Sequence, residues 1–405
     1  MATRVGLAHV AAVSFLAARV APSGAFWLAL AGGTAVAREA DLRGVRAGYA
    51  SSAAAMLQTV AMVGPLRLSA PLTQALSAPL LGGMHARGRR WLSMLVVCLA
   101  IRLAIYAALT SFTVFVLLGP AGYAGSFDAL FGWLPLLPEG LAGALLITAI
   151  ANLVSAVFFS TIQVVLYRRA LSAWPEPAAA QPPRSAAPPS PVERSGADPR
   201  MVVAVAAAVT TVLLFTHSWI VLSAVTVWLA GAAVLARDGD REVAKIGLLL
   251  AVMLAAGTLI ASLVGGLSIN EAASRTVRAA LLVLVATWMR VAAGSGGLRE
   301  AFRRGLLAIR RLPGAEDAAH LLSDLDSGRL LAGSATALQD RLRGVRRRPI
   351  AVADAVLGWV AQEAQAIGPE HADATKAVLT IRLRDATLAA SVLLPAAALV
   401  AAIGS

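Results

Sequence analysis

The sequence predicts an all-α fold: a polytopic helical membrane protein of about 10–11 transmembrane helices, with a cytoplasmic amphipathic helical segment. Three observations predict it. Apolar types make up 58% of the 405 residues and charged types 14%, where a soluble domain has about half and a quarter. The apolar residues gather into runs approaching the roughly 20 residues that a helix needs to cross hydrocarbon. The arginines lie between those runs, as in cytoplasmic loops. Ala/Leu/Val-rich runs satisfy their backbone as helices rather than as a closed barrel. Mean hydropathy is +0.74.

Residues 171–199 divide the chain. They are a Pro/Ala/Ser linker with no apolar face to pack. Before it, residues 1–170 carry apolar runs at 5–21, 25–37, 47–64, 68–84, 91–118 and 140–166. The opening run continues into Phe26–Ala37, so it reads as a first membrane hairpin rather than a signal peptide. Residues 5–37 also allow one helix bent at Pro22 and Gly24, and 65–84 a re-entrant segment around its prolines and Gly82-Gly83. Arg38/Arg43/Arg46, Arg87/Arg89/Arg90 and Arg168/Arg169 mark the cytoplasmic side, whereas 119–139 has no Lys or Arg. This gives about six spans with both ends cytoplasmic.

After the linker, residues 200–405 carry runs at 201–216, 219–236, 246–267, 278–293 and 386–402. Residues 295–385 interrupt them with charged, helix-forming sequence. Leu298, Phe302, Leu306, Ile309 and Leu312 recur at helical spacing opposite a face of arginines, and Pro313-Gly314 ends that stretch. A second amphipathic stretch carries Ala318, Leu321, Leu322 and Leu325. A third follows Pro349 with Val352, Val356, Trp359 and Val360 on one side.

The net charge of +13 reads as a set of topology signals, because no aromatic-basic surface accompanies it; no nucleic-acid partner is expected. Cys98 is the only cysteine and sits inside an apolar run, so neither a disulfide framework nor a thiolate metal site is expected. The five histidines have no ligand spacing, and Lys245 and Lys376 follow no glycine-rich loop. No enzyme activity and no bound cofactor are expected; if ATP drives this chain, a separate polypeptide hydrolyses it.

Polar residues inside spans mark candidate binding positions, because they are costly in hydrocarbon. Asn152, Ser155, Phe159 and Gln163 fall near one helical face, and Arg102 lies well inside 91–118. Tyr123, Phe127, Phe131 and Trp133 give the outer segment the composition of a lid. Of these, Arg102, Trp133, Asn152, Phe159 and Gln163 are the candidate substrate-binding residues. Interhelical hydrogen bonds and an aromatic belt explain the same residues equally well. Ala8 and Ala12 would let the first helix pack closely.

Asp198-Pro199-Arg200 ahead of a paired span, the stretch Gly294-Ser295-Gly296-Gly297-Leu298-Arg299-Glu300-Ala301-Phe302-Arg303-Arg304 continuing to Pro313, and Arg384-Asp385 before a final span together resemble the transmembrane, or T, component of energy-coupling-factor (ECF) importers, the cobalt-type permease family. The resemblance covers about 196–405. It implies that the segment 295–385 forms coupling helices that dock separate P-loop ATPase subunits. Arg303, Arg304, Arg343, Arg347 and Arg384 are the docking residues it implies. Leu342-Arg343-Gly344 and Leu383-Arg384-Asp385 stand for the family's small-Arg-small motifs, without its preceding alanine. It further implies that 1–170 is a fused substrate-binding, or S-like, component, tethered at high effective concentration. The Met1-Ala2 start differs from the Met-His of cobalt and nickel S components, so a vitamin-like small molecule is expected rather than a metal ion.

The expectation is therefore a multi-pass protein of the cell (inner or plasma) membrane, taking up a small molecule with ATP spent by partner ATPases. The alternatives are a membrane scaffold that recruits a soluble partner through its basic helices, and a secondary transporter. The latter is weakened by the lack of buried acids in the spans and of an internal repeat.

Overall fold

The computed structural model describes residues 3–20, 25–64, 69–133, 138–174, 198–216, 218–235, 241–325, 349–366 and 383–404. These residues are all-α. Helices α1 (Arg4–Val20), α2 (Ala25–Arg43), α3 (Val45–Val63), α4 (Ser69–Ala86) and α5 (Trp91–Ser111) follow the apolar runs closely. α1 and α2 are separate helices, and α4 runs unbroken through Pro79. A π-helical stretch, Phe112–Leu118, joins α5 to α6 (Gly119–Phe131), and α7 is Gly140–Ser172. After the linker come α8 (Pro199–Phe215), α9 (Trp219–Leu235), α10 (Arg241–Val264), α11 (Ile269–Ala308) and α12 (Ala315–Asp324). The last are α13 (Pro349–Ala366), α14 (Leu383–Ser391) and α15 (Leu393–Gly404).

Among the described residues five helical stretches are long and apolar enough to cross a membrane: Trp91–Phe131, Gly140–Ser172, Arg241–Val264, Ile269–Ala308 and Asp385–Ala402. Pro199–Phe215 and Trp219–Val234 are shorter apolar helices. The chain thus has the make-up of a multi-pass membrane protein.

The chain forms two compact units whose segments alternate in sequence. One contains 1–102, 156–193 and 298–377; the other contains 103–155, 194–297 and 378–405.

In the first unit α1 is the central helix, with Leu7, Val10, Val13 and Phe15 fully buried. α2, α3, α4, α12 and α13 pack around it. Small residues set how closely these helices approach. A side chain at Gly82 would strike the Ala37 carbonyl, and one at Gly33 the Tyr167 hydroxyl. Ala8 and Ala12 are both buried; Ala8 lies in one cluster with Ala50 and Ala54 of α3. Polar side chains add bonds between helices: Ser52 Oγ donates to the Ala75 carbonyl at 2.6 Å, and Tyr49 to the Leu76 carbonyl at 3.0 Å.

The amphipathic segment docks on the same unit. Leu321, Leu322 and Leu325 are buried with Val5, Ala8, Ala50 and Ala54, and Phe302 and Leu306 pack against them. The helix through Leu298 ends at Ala308, short of the Pro313-Gly314 break expected to stop it, and Gly314 is instead the N-cap residue of α12. Its Asp317 faces Arg4 at 3.5 Å and Arg46 at 3.7 Å, while Arg4 also faces buried Glu39 at 3.5 Å. In the third stretch Trp359 and Val360 are buried, the latter fully.

In the second unit the stretch 119–139, expected as an outer segment, is largely helical. Most of it is helix α6, with Pro120 in the first turn, where its missing N–H costs nothing. Gly122 and Gly125 bring α6 against Gly265 and Leu267 after α10. Elsewhere in this unit Trp228 and Trp288 meet edge to face at 5.1 Å. Within α11, Gly294 has φ +67°, a left-handed conformation that glycine adopts without penalty, and it kinks the helix. The chain passes into the first unit just beyond that kink.

Candidate functional site

The strongest polar constellation lies inside the first unit, where α5, α7 and α4 bring Arg102, Gln163, Ser160, Cys98 and Ser77 together. Arg102 is 4% exposed. Its Nη2 donates to Gln163 Oε1 at 2.7 Å and its Nε to Ser160 Oγ at 3.2 Å. Gln163 Nε2 donates to Ser77 Oγ at 2.7 Å, and the Ser77 hydroxyl in turn donates to the Thr73 carbonyl at 2.6 Å. The Cys98 thiol donates to Gln163 Oε1 at 3.4 Å. The Phe159 ring lies 5.9 Å from the guanidinium carbon. A turn further along α7, Tyr167 donates to Gln74 Oε1 at 2.6 Å, and Gln74 Nε2 is buried with no partner.

Helical geometry accounts for the gathering. Cys98 and Arg102 are four residues apart on α5, and Ser160, Gln163 and Tyr167 recur every three or four residues on α7. Each pair therefore shares one face. Among the described residues no carboxylate pairs with Arg102; its charge rests on neutral oxygens and an aromatic face. A cation so held is suited to a carboxylate or phosphate group, and it also suits a purely structural network.

Of the substrate-binding candidates, the structure groups Arg102, Phe159 and Gln163. Asn152 instead donates to Thr110 Oγ1 at 3.2 Å in the second unit. Trp133 is 74% exposed, and its indole N–H donates to the Leu130 carbonyl at 2.9 Å. Ser77, Gln74, Ser160 and Tyr167 escaped the sequence reading. The four-residue spacing on α7 was the signal for the last two; Gln74 and Ser77 join only because α4 packs there.

Of the docking candidates, Arg303 and Arg304 both pair with Glu300, at 2.7 and 2.6 Å. Arg343 and Arg347 lie outside the described residues. Arg384 lies in α14, but its side chain is outside what is described.

Within the second unit a different arrangement joins two separated motifs. The Asp198 carboxylate caps α8, accepting from the Arg200 N–H at 2.8 Å, with Pro199 in the first turn. The Arg200 guanidinium returns to Asp198 at 2.8 Å. The Asp198 N–H donates to Asp385 Oδ1 at 2.6 Å. Elsewhere in this unit, Arg275 pairs with Glu271 at 2.7 Å, whereas Arg278 is buried with its Nε and Nη2 unbonded.

Among the described residues no three His, Cys, Asp or Glu side chains gather where a metal ion would sit. No family model matches the chain, and no curated protein or solved structure matches it.

Proposed function

We propose that this chain is the membrane part of an ECF-type ATP-driven importer, with its ATPases supplied as separate subunits. The observation that carries the reading is the bond from the Asp198 N–H to Asp385. The two motifs at either end of the resemblance, Asp198-Pro199-Arg200 and Arg384-Asp385, are nearly 190 residues apart in sequence and share one junction. Each residue has a physical task there: Asp198 caps, Pro199 starts the helix, and Asp385 accepts the N–H of the capping residue itself. The basic amphipathic segment supports the reading too, since Arg310 and Arg311 are exposed at the end of that stretch and offer charge to a soluble partner.

On this reading the stretch from Leu298 onward receives the ATPases' motion. It lies on α1 and α3 through Leu321, Leu322 and Leu325, so movement of the segment would be passed to the bundle holding Arg102. That bundle would carry the substrate, a vitamin-like small molecule whose anionic group would meet Arg102.

Affinity purification of the tagged chain in mild detergent tests the proposal. A P-loop ATPase in stoichiometric amount is the expected companion. Its reproducible absence from intact, folded chain refutes the importer. A different soluble protein bound through the basic segment would make the chain a recruiting scaffold.

A further inference from the structure

Arg87, Arg89 and Arg90 crowd the turn between α4 and α5. Gly88, at φ +63°, reverses the chain there. The turn is closed by the Gly88 N–H on the His85 carbonyl at 2.8 Å and the Arg89 N–H on the Met84 carbonyl at 3.0 Å. All three arginines are exposed. Among the described residues none of them meets a carboxylate. They form one end of an open cavity of about 850 Å³ whose other wall is Leu92, Val96 and Val97. Leu92 is 57% and Val96 58% exposed, on the first turns of a helix apolar enough to span a membrane. Trp91, at the junction, is the residue type that settles at the headgroup level.

The two walls ask for different chemistry. Unpaired guanidinium groups fit phosphate oxygens two at a time. The strip from Leu92 to Val97 fits hydrocarbon. A soluble anion would leave the strip bare, and a neutral lipid would not neutralise the arginines. We propose that this turn binds the phosphate of one anionic phospholipid, with an acyl chain along Leu92 and Val96. The occupant is a discrete bound lipid rather than the diffuse attraction that any basic loop has for a negative surface. A discrete site needs the arginine fork, whereas diffuse attraction and membrane topology need only charge.

The test uses the full-length chain, purified in mild detergent and offered equimolar palmitoyl-oleoyl phosphatidylglycerol and phosphatidylcholine, with retained lipid counted by native mass spectrometry. Wild type is expected to retain one phosphatidylglycerol in preference. R87Q/R89Q/R90Q should lower that preference by about 100-fold, taking each surface cation at its usual worth. R87K/R89K/R90K keeps the topology signal and should still lose roughly tenfold, because lysine lacks the fork. Equal retention of both lipids by wild type, full preference in the lysine variant, or displacement of phosphatidylglycerol by excess inorganic phosphate would each overturn the proposal.

Discussion

Arg102 and Arg278 are both buried arginines in apolar helices, yet they are held differently, and mutation should separate them. Arg102 has Ser160 and Gln163 as acceptors. Gln163→Leu removes the better one and should cost about 2 kcal/mol. Adding Arg102→Leu should recover most of that loss, because the stranded charge goes with it. Unfolding in detergent measures both; a double variant less stable than Q163L alone would contradict the network. Arg278 has two buried donors unbonded, so Arg278→Met, which fills the volume without the charge, should raise the melting temperature. Glu39 is a third case, on the charged end of α2 beyond its apolar run. Burial pushes its carboxyl above the usual value of 4.5, against the opposing pull of Arg43 and Arg4. A raised acid favours the protonated form in the folded state. Its stabilising effect is thus complete below the unfolded value near 4.5 and fades as pH rises through the folded one. Glu39→Gln should flatten stability against pH in that window.

Among the elements, α12 shows which effect holds a helix in place. Its ion pairs from Asp317 to Arg4 and Arg46 are long and partly exposed, so Asp317→Lys should cost under about 1 kcal/mol. Leu322 is fully buried, and Leu322→Ala should cost about 2–3 kcal/mol. Hydrogen exchange over 315–325 reads both; equal loss of protection would make charge the main holder. The helices themselves were largely legible, because apolar runs bounded by Arg, Pro and Gly leave little choice of where they end. Leu321, Leu322 and Leu325 were legible as an apolar face for the same reason. The partners of that face were not, since nothing in their spacing says that Val5 and Ala50 meet them. The lack of Lys and Arg marks 119–139 as an outer segment, but its helix becomes legible only once Pro120 is placed in the first helical turn. Likewise the spacing on α7 suggested Phe159 and Gln163, but only tertiary packing separates them from Asn152 on the same helix.

At the scale of the whole molecule, an importer of this kind needs one orientation in the membrane. By the positive-inside rule, Arg38, Arg89, Arg168 and Arg311 would then share the cytoplasmic side, with Glu139 and Ser268, in stretches free of Lys and Arg, on the other. Cys98, the only cysteine, is buried, which gives a quiet background for single-cysteine labelling. The decisive measurement is reaction of cysteines placed at Arg89, Arg311, Glu139 and Ser268 with a membrane-impermeant maleimide in sealed vesicles of known sidedness. Arg89→Cys and Arg311→Cys are expected to label from the cytoplasmic face, and Glu139→Cys and Ser268→Cys only from the opposite face. Labelling of Arg311→Cys together with Ser268→Cys from one face would contradict this orientation and remove the ATPase-facing segment on which the importer reading stands.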